Sequence, residues 1–206
     1  MKTSRALSLV EILVVLVIVV ILAALTLPAI NSMGRSSALN GTVQSVTGVL
    51  DLARQTAMSQ NRPVEVRFYK LPDAAQSPSA PPSVYRAMQT FLVDFESTNV
   101  ASKMTRFSTP VIMSDTLDAS SLLDDTNLPE QAAPAGFDLP EYGSNYRYRS
   151  FRFKPDGGMD LPLDGKWFFT LYAQNDTIVS NGLPANFATV EIQPLTGRTK
   201  VMRPQP

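Results

Sequence analysis

An uncharged apolar stretch near the N-terminus constrains this chain of 206 residues more than any other feature. Residues 12–30 read ILVVLVIVVILAALTLPAI. At 1.5 Å per residue, a helix of these nineteen residues matches a hydrocarbon core of about 30 Å. The stretch therefore predicts one membrane-spanning helix. Lys2 and Arg5 precede it, and the positive-inside bias predicts a cytoplasmic N-terminus and an extracytoplasmic body.

Glu11 is an acidic residue placed directly before the apolar stretch. Three interpretations of the segment are open: a cleaved secretory signal, a plain membrane anchor, or a helix used for assembly. A secretory signal has a shorter apolar stretch, of about 7 to 15 residues. A carboxylate at the edge of a membrane is either functional or lies among the lipid headgroups. The residue pattern leaves both roles of Glu11 open.

Residues 5–11, RALSLVE, together with the apolar stretch resemble the prepilin signal of type IV pilins and type II secretion pseudopilins. In that signal a basic leader ends in Gly, cleavage precedes an apolar residue, and Glu is the fifth mature residue. Counted from Leu7, Glu11 is the fifth residue and Pro28 the twenty-second, where many pilins also carry proline. Ala6 stands where the family usually has Gly, and Leu7 where it usually has Phe.

Within these families the resemblance is strongest to minor pseudopilins of the H type (FimT/GspH-like). The segment ARQTAMSQNRPVEVRFY at residues 53–69 is most similar to the Verru_Chthon cassette protein D group. Two later motifs, FKPDGG at residues 153–158 and VEIQPLTGR at residues 190–198, resemble the head of H-type pseudopilins. The resemblance implies a pilin-like α+β fold, in which a long N-terminal helix packs on an antiparallel β-sheet head.

The resemblance also implies a structural subunit of a filament. A prepilin peptidase would cut between Ala6 and Leu7, and the new N-terminus at Leu7 would be methylated. Glu11 would neutralise the N-terminal ammonium of the preceding subunit during assembly. The implied partners are the membrane, the peptidase, other pilin-like subunits and inner-membrane components of a secretion system. The implied location is the inner (cytoplasmic) membrane, crossed once, with the head on the periplasmic side.

The sequence after Pro28 keeps a helical period although it becomes polar. Apolar residues recur at intervals of three and four, which predicts one buried face. Asn61-Arg62-Pro63 predicts the end of the helix, because the residue before proline is disfavoured in the helical region. We therefore predict a leader (1–6), a transmembrane and filament-core helix (7–30), its amphipathic continuation (31–62) and a β-rich head (63–206). The residues predicted to form the buried face are Leu39, Val43, Val46, Leu50, Ala53 and Ala57.

The head is predicted to consist of strands. Alternation in VEVRFY places Val64, Val66 and Phe68 on a buried face and Glu65, Arg67 and Tyr69 on an exposed face. WFFTLYA is the most apolar segment and is predicted to be central. Pro110 predicts a broken or edge strand. The predicted strands are residues 64–69, 84–96, 105–113, 146–154, 167–173, 188–193 and 198–202.

Residues 114–145 have few β-branched residues and many Asp, Ala and Pro, which predicts a long surface excursion with one helical turn near residues 120–124. Such a segment is a candidate for display to a partner or cargo. Four of its carboxylates, Asp115, Asp118, Asp124 and Asp125, could form an acid–base or metal pair, but they follow no fixed spacing, so we interpret them as solvated. Asp156-Gly157-Gly158-Met159-Asp160 lacks the ligands that complete an EF-hand calcium loop.

Cations alternate with aromatic residues in YRYRSFRFK at residues 146–154, a pattern also found where proteins bind nucleic acid. The candidate contacts are Arg147, Arg149, Arg152 and Lys154, in the manner of a DNA-binding minor pilin of the FimT type. The alternative is an ordinary amphipathic strand, since aromatic residues favour strands. The apolar face changes sides at Ser150, which predicts a bulge or a departure from the sheet.

Composition removes most enzyme chemistries. There is no His and no Cys, which excludes imidazole acid–base catalysis, thiol nucleophiles and thiolate metal sites. Phosphate-binding, dinucleotide and nucleophile-elbow motifs are missing. Lys plus Arg and Asp plus Glu both number 18, so the formal net charge is zero and favours no general nucleic-acid affinity. We therefore predict a protein that is not an enzyme and binds no cofactor or metal; a membrane-anchored extracytoplasmic binding domain is the other open alternative.

Overall fold

The computed structural model describes residues 9–94, 97–180 and 183–204, without the side chains of residues 24–32 and of Ser180. Its contacts divide the chain into two compact units, residues 1–37 and 38–206, with the boundary inside the N-terminal helix. That helix, α1, spans Leu9–Gln60.

The C-terminal end of α1 lies where the sequence predicts it. Asn61 adopts a positive φ of 51°, a left-handed conformation common just after a helix. The Arg62 amide donates to the carbonyl of Ala57 at 3.2 Å, which satisfies one of the last helical carbonyls. Pro63 cannot continue the helix, and the chain enters the first strand directly.

Twelve strands follow within the described residues, and ten of them form one antiparallel sheet. The order along the sheet is β12-β11-β8-β5-β2-β1-β7-β6, with β3 and β4 paired to β2, while β9 and β10 form a separate ribbon. The strands are β1 (Val64–Leu71), β2 (Val84–Val93), β3 (Thr98–Val100), β4 (Thr105–Arg106), β5 (Val111–Met113), β6 (Gln131–Ala132), β7 (Arg147–Phe153), β8 (Trp167–Ala173), β9 (Ile178–Ser180), β10 (Leu183–Pro184), β11 (Phe187–Ile192) and β12 (Thr199–Met202).

Residues 38–60 of α1, here called its head half, belong to the second unit. The first core lies between this head half and one face of the sheet. The predicted helical stripe is confirmed, because all six of its members are at most 4% exposed. They join a cluster with Val66, Phe68 and Phe169. Phe68 and Phe169 lie on strands that are not neighbours, and their ring centroids are 5.4 Å apart. The predicted α+β arrangement of an N-terminal helix packed on an antiparallel sheet is therefore confirmed.

The second face of the sheet carries a core of its own. Tyr69, Leu71 and Phe91 are completely buried there, and Tyr146 and Tyr148 are at most 5% exposed. The prediction that β1 exposes one face is therefore wrong: seven of its eight residues are buried, and only Lys70 is half-buried. Residues of the excursion pack over this face. The partly buried side chains added by the excursion and its surroundings are Met104, Ala133, Phe137 and Tyr142.

The excursion at residues 114–145 is anchored to the head at several points. The Leu122 amide donates to the carbonyl of Phe168 on β8 at 3.0 Å, and Leu122 and Leu123 enter the first core. Leu139 enters the second core. The predicted helical turn near residues 120–124 is wrong; the segment contains hydrogen-bonded turns and the short strand β6.

The remaining strand predictions differ in detail. The segment around Pro110 is broken as predicted, into β4 and β5. The apolar strand β8 lies inside the sheet, between β11 and β5. The register between β1 and β7 shows no shift, so the bulge or departure predicted at Ser150 is wrong. The apolar side changes because each face of β7 meets a different core, with Phe151 in the first and Tyr148 in the second.

Candidate functional site

The first half of α1 exposes an apolar surface. Every large apolar side chain from Leu9 to Leu22 is between 46% and 80% exposed. Glu11 lies in the first turn of this helix and is exposed as well. A continuous exposed apolar surface marks a site of contact with lipid or protein. The predicted cleavage and methylation site, Ala6 and Leu7, lies outside the described residues.

Within the described part of the chain, no helical stretch combines the length and the hydropathy needed to cross a bilayer.

The four candidate nucleic-acid residues do not form one surface. Arg147 and Arg152 are exposed, Lys154 is half-buried, and Arg149 is only 2% exposed. Because side chains alternate along a strand, Arg147 and Arg152 project from opposite faces of β7. The structure therefore leaves two exposed cations on this strand, separated by the sheet.

Arg149 is used inside the head. Its Nε donates to the hydroxyl of Tyr85 at 2.7 Å, and its terminal nitrogens donate to the carbonyl of Leu128 and the carboxylate of Asp125. Burial lowers the pKa of Arg149, but the hydrogen bonds and charges of Tyr85 and Asp125 outweigh that effect and raise it. The guanidinium stays charged and holds excursion residues against β7 and β2.

A second cation extends this network. The Lys70 Nζ lies 3.1 Å from the carboxylate of Asp115 and 3.4 Å from that of Glu130. Glu130 also accepts a hydrogen bond from Tyr85 at 3.1 Å, so Tyr85 connects the two cationic groups. The pairing of Asp115 with Lys70 was not predictable from the sequence, because the two residues lie 45 positions apart. Two of the carboxylates interpreted as solvated, Asp115 and Asp125, thus pair with strand cations, and Glu130 does so as well.

A buried ion pair lies within the second core. The Arg67 Nε donates to the Glu65 carboxylate at 2.8 Å, and the two residues are only 7% and 5% exposed. The guanidinium carbon lies 4.2 Å from the ring centroid of Phe91 and 4.8 Å from that of Tyr148. Aromatic faces and a carboxylate together compensate the loss of water around this cation. The i, i+2 spacing of Glu65 and Arg67 was visible in the sequence, but their burial was not.

Arg54 connects three of the sequence motifs quoted above, those at residues 53–69, 153–158 and 190–198. Its Nε donates to the carbonyl of Thr196 at 2.6 Å and is 3.3 Å from that of Gly157. Arg54 belongs to the ARQ segment, Gly157 to FKPDGG and Thr196 to VEIQPLTGR. The two turns are close enough that a Cβ added to Gly197 would lie 2.3 Å from the Gly157 oxygen. These motifs therefore serve the packing of the head.

In the turn that follows β7, the Asp156 carboxylate accepts a hydrogen bond from the Gly158 amide at 2.8 Å, which closes that turn. Over residues 9–94, 97–180 and 183–204, no group of three carboxylate, imidazole or thiol residues could hold a metal ion.

No model of a known protein family matches the chain. No curated protein matches it either. Among solved structures it is similar to the type IV minor pilin FimU of Pseudomonas aeruginosa (strain PAO1), in two crystal forms. Both are 14% identical over 81% of this chain, covering 98% and 92% of the FimU chains, with TM-scores of 0.41 and 0.42.

The chain is also similar to the minor pseudopilin EpsH from the Type 2 Secretion System of Vibrio cholerae. The identity is 9% over 82% of this chain and 98% of the EpsH chain, with a TM-score of 0.44. Because these TM-scores lie below 0.5, we base the functional proposal on the residues of this chain.

Proposed function

We propose that this chain is a pilin-like structural subunit, a minor pseudopilin of a filament of the type II secretion or type IV pilus kind. Its task is binding and assembly rather than bond-making. A prepilin peptidase cuts between Ala6 and Leu7, Leu7 is methylated, and the first half of α1 enters the filament core. The partners are the inner membrane, the peptidase, other pilin-like subunits and inner-membrane components of the secretion system.

The observation that carries the proposal is the contrast between the two parts of α1. From Leu39 to Ala57 the helix buries its apolar stripe against the sheet. From Leu9 to Leu22 its large apolar side chains are exposed. Surface of this kind has to be covered by lipid, by other helices, or by each in turn. A subunit that is stored in the membrane and then built into a helical filament meets both requirements.

Glu11 gives this assembly a register. A carboxylate among apolar side chains is costly unless an opposite charge pairs with it. In the proposed filament the partner is the N-terminal ammonium of the preceding subunit. A subunit displaced by one helical turn would leave both charges unpaired, so the pairing selects one position.

Before assembly, the proposal places the subunit in the inner membrane as a single-pass protein. Lys2 and Arg5 hold its N-terminus in the cytoplasm, and the head lies in the periplasm. The excursion at residues 114–145 is the segment proposed to meet a cargo or tip partner, through residues that do not enter either core.

Two alternatives predict different behaviour. A DNA-binding minor pilin would use Arg147 and Arg152 and would bind duplex DNA with a steep salt dependence. Arg149 is already held by Asp125, Tyr85 and Leu128, which favours the interpretation of β7 as an ordinary amphipathic strand. A plain anchored binding domain would keep an uncut N-terminus.

The first experiment is mass spectrometry of the N-terminal peptide from the full chain, expressed with and without a prepilin peptidase. We expect a peptidase-dependent start at Leu7 that carries one methyl group. An N-terminus that stays uncut in the presence of the peptidase would contradict the processing step and favour the anchored domain.

The second experiment tests Glu11→Leu against Asp51→Asn, an exposed acidic residue of the head half of α1. We expect both variants to insert and fold, and only Glu11→Leu to lose crosslinking to neighbouring subunits. Assembly of Glu11→Leu at the parent level would show that the pairing mechanism is wrong.

A further inference from the structure

A cleft of about 310 Å³ opens in the head, at the end of the sheet where β5 begins. Four separate segments form its walls: the loop after β1, strand β2, the segment before and within β5, and the residues that follow β8. Its volume is at the lower end of the range for ligand pockets, roughly 300 to 1,000 Å³. It fits one or two amino acid residues rather than a nucleotide.

One wall of the cleft is apolar. Phe107, Val111 and Ile112 line it, and each is at most 8% exposed. Phe107 and Val111 are also members of the first core, which holds them in place. Pro110 continues this wall. A small aliphatic group placed here would exchange water for a preformed apolar surface.

The lining also carries a guanidinium with free donors. Arg86 is half-buried, and its one hydrogen bond within the described residues is a long one, 3.4 Å to the carbonyl of Pro72. None of the ion pairs in this part of the chain includes Arg86. A guanidinium has five N–H donors in a fixed fork, and a carboxylate matches two of them.

Asp73 places an acceptor beside this cation. Its carboxylate accepts hydrogen bonds from the Ala75 amide at 3.0 Å and from the Gln174 side chain. These hydrogen bonds, from Ala75 first and Gln174 second, lower the pKa of Asp73, and the charge of Arg86 adds to the effect. The cleft therefore presents a cation, an anion and an apolar wall.

We propose that this cleft binds the carboxylate end of an aliphatic amino acid residue. The ligand carboxylate pairs with Arg86, the nitrogen on the adjacent carbon donates to Asp73, and the side chain lies against Phe107 and Val111. Two sources share this chemistry: the C-terminal residue of a polypeptide and a free amino acid. This inference goes beyond the filament role and does not depend on it.

The test is a titration of the full chain in detergent micelles, followed by ¹H–¹⁵N NMR. The probes are N-acetyl-leucine for a peptide C-terminus, leucine for a free amino acid, and N-acetyl-leucinamide as the ligand without a carboxylate. We expect saturable shifts of the Arg86 Nε–H and Gln174 amide signals with a carboxylate ligand. N-acetyl-leucinamide is expected to cause no saturable shift.

The matched variants are Arg86→Gln and Arg147→Gln, which remove one cation inside and one outside the cleft. We expect at least tenfold weaker binding for Arg86→Gln and parent binding for Arg147→Gln. Asn175→Asp, which adds a negative charge at the exposed rim of the cleft, should also weaken binding and provides a second variant if Arg86→Gln fails to fold.

The titrations distinguish the two ligand sources from each other and from the absence of a specific site. Binding of N-acetyl-leucine assigns the ligand to a polypeptide terminus, and binding of leucine alone assigns it to a free amino acid. Equal shifts with N-acetyl-leucinamide, unchanged affinity in Arg86→Gln, or no saturation with any probe would overturn the proposal. The comparison of ligands on the parent chain decides the role of the carboxylate without any substitution.

Discussion

The Nε of Arg54 lies 2.6 Å from the carbonyl oxygen of Thr196, a residue 142 positions later in the chain. The same nitrogen is 3.3 Å from the carbonyl of Gly157. One helical side chain thus holds the turn after β7 and the turn between β11 and β12. This contact connects the helix to two turns that lie far apart in the sequence.

Replacing Arg54 should loosen both turns. We expect Arg54→Ala to lower the free energy of unfolding by about 1–3 kcal/mol, because two backbone carbonyls lose a charged donor. The sole tryptophan, Trp167, is 6% exposed in the head, and its fluorescence during urea unfolding is a suitable measurement. Gln55→Ala, at the exposed neighbouring position, is the control. Equal stability of the two variants would contradict the role of Arg54.

Two glycines should respond in opposite directions to the same substitution. Gly197 has a φ of +63°, and a Cβ there would lie 2.3 Å from the Gly157 oxygen. We expect Gly197→Ala to cost about 2–3 kcal/mol of unfolding free energy. Gly41 lies in α1 with nothing within 4 Å of an added Cβ, so Gly41→Ala should stabilise by up to about 1 kcal/mol.

Urea unfolding of both glycine variants tests this pair of predictions. A destabilised Gly41→Ala variant would contradict the open space beside Gly41. A Gly197→Ala variant as stable as the parent would contradict the close approach of the two turns.

Asp125 should control how firmly the excursion is held. Its carboxylate is the one ion-pair partner of the buried Arg149 within the described residues. We expect Asp125→Asn to cost about 1–2 kcal/mol locally, because the Asp125 side chain is itself 83% exposed and keeps most of its hydration. Hydrogen exchange measured by mass spectrometry should become about tenfold faster in residues 121–130.

Asp118→Asn is the matched control for this experiment, since Asp118 lies in the same excursion and is exposed. Its exchange rates should equal those of the parent. Unchanged exchange in Asp125→Asn would show that the apolar anchors Leu122 and Leu123 hold the segment without the ion pair.

Buried tyrosines make the head sensitive to alkaline pH. Burial raises the pKa of Tyr146 to about 12, whereas an unfolded tyrosine has a pKa of about 10. Between these values the folded state binds the proton that the unfolded state has lost, so stability is complete below pH 10 and falls as the pH rises to 12. The raised pKa of Lys70, which burial opposes and its bonds to Asp115 and Glu130 favour, acts in the same direction.

Tyr146→Phe isolates the tyrosine contribution. It removes the hydrogen bond from the Tyr146 hydroxyl to the Phe137 carbonyl, so some stability is lost at every pH. The decisive quantity is the slope of unfolding free energy between pH 10 and 12. We expect the variant to lose about 1.4 kcal/mol per pH unit less than the parent over this interval. Parallel slopes would contradict the assignment.

Several predictions from the sequence are confirmed because they depend on local spacing. The stripe from Leu39 to Ala57 follows the helical period, and each residue sits on the buried face for that reason alone. The end of α1 at Gln60 depends on Pro63, three residues away. The separation into an N-terminal helix and a run of strands depends on the order of such local patterns.

Other features were not predictable because they depend on contacts between distant segments. Glu65 and Arg67 alternate with apolar residues as an exposed strand face does. They are buried only because aromatic residues from distant segments pack on that face, among them Phe91, Phe137 and Tyr148. The sequence pattern predicts Arg149 to be a surface cation. In the folded head it is buried and pairs with Asp125, which lies 24 positions earlier. Such pairs carry no local signature, since any exposed carboxylate could have served.

The sequence by itself therefore determined the apolar N-terminal helix, its buried stripe in the head, the end of that helix and the positions of the main strands. Each of these follows from side-chain periodicity or from the backbone limits of proline, which act over a few residues. Only the tertiary structure decided that both faces of β1 are covered, that Arg149 is buried, and that Arg86 opens into a cleft. These properties depend on which distant segments contact each other, and the packing of the whole head determines those contacts.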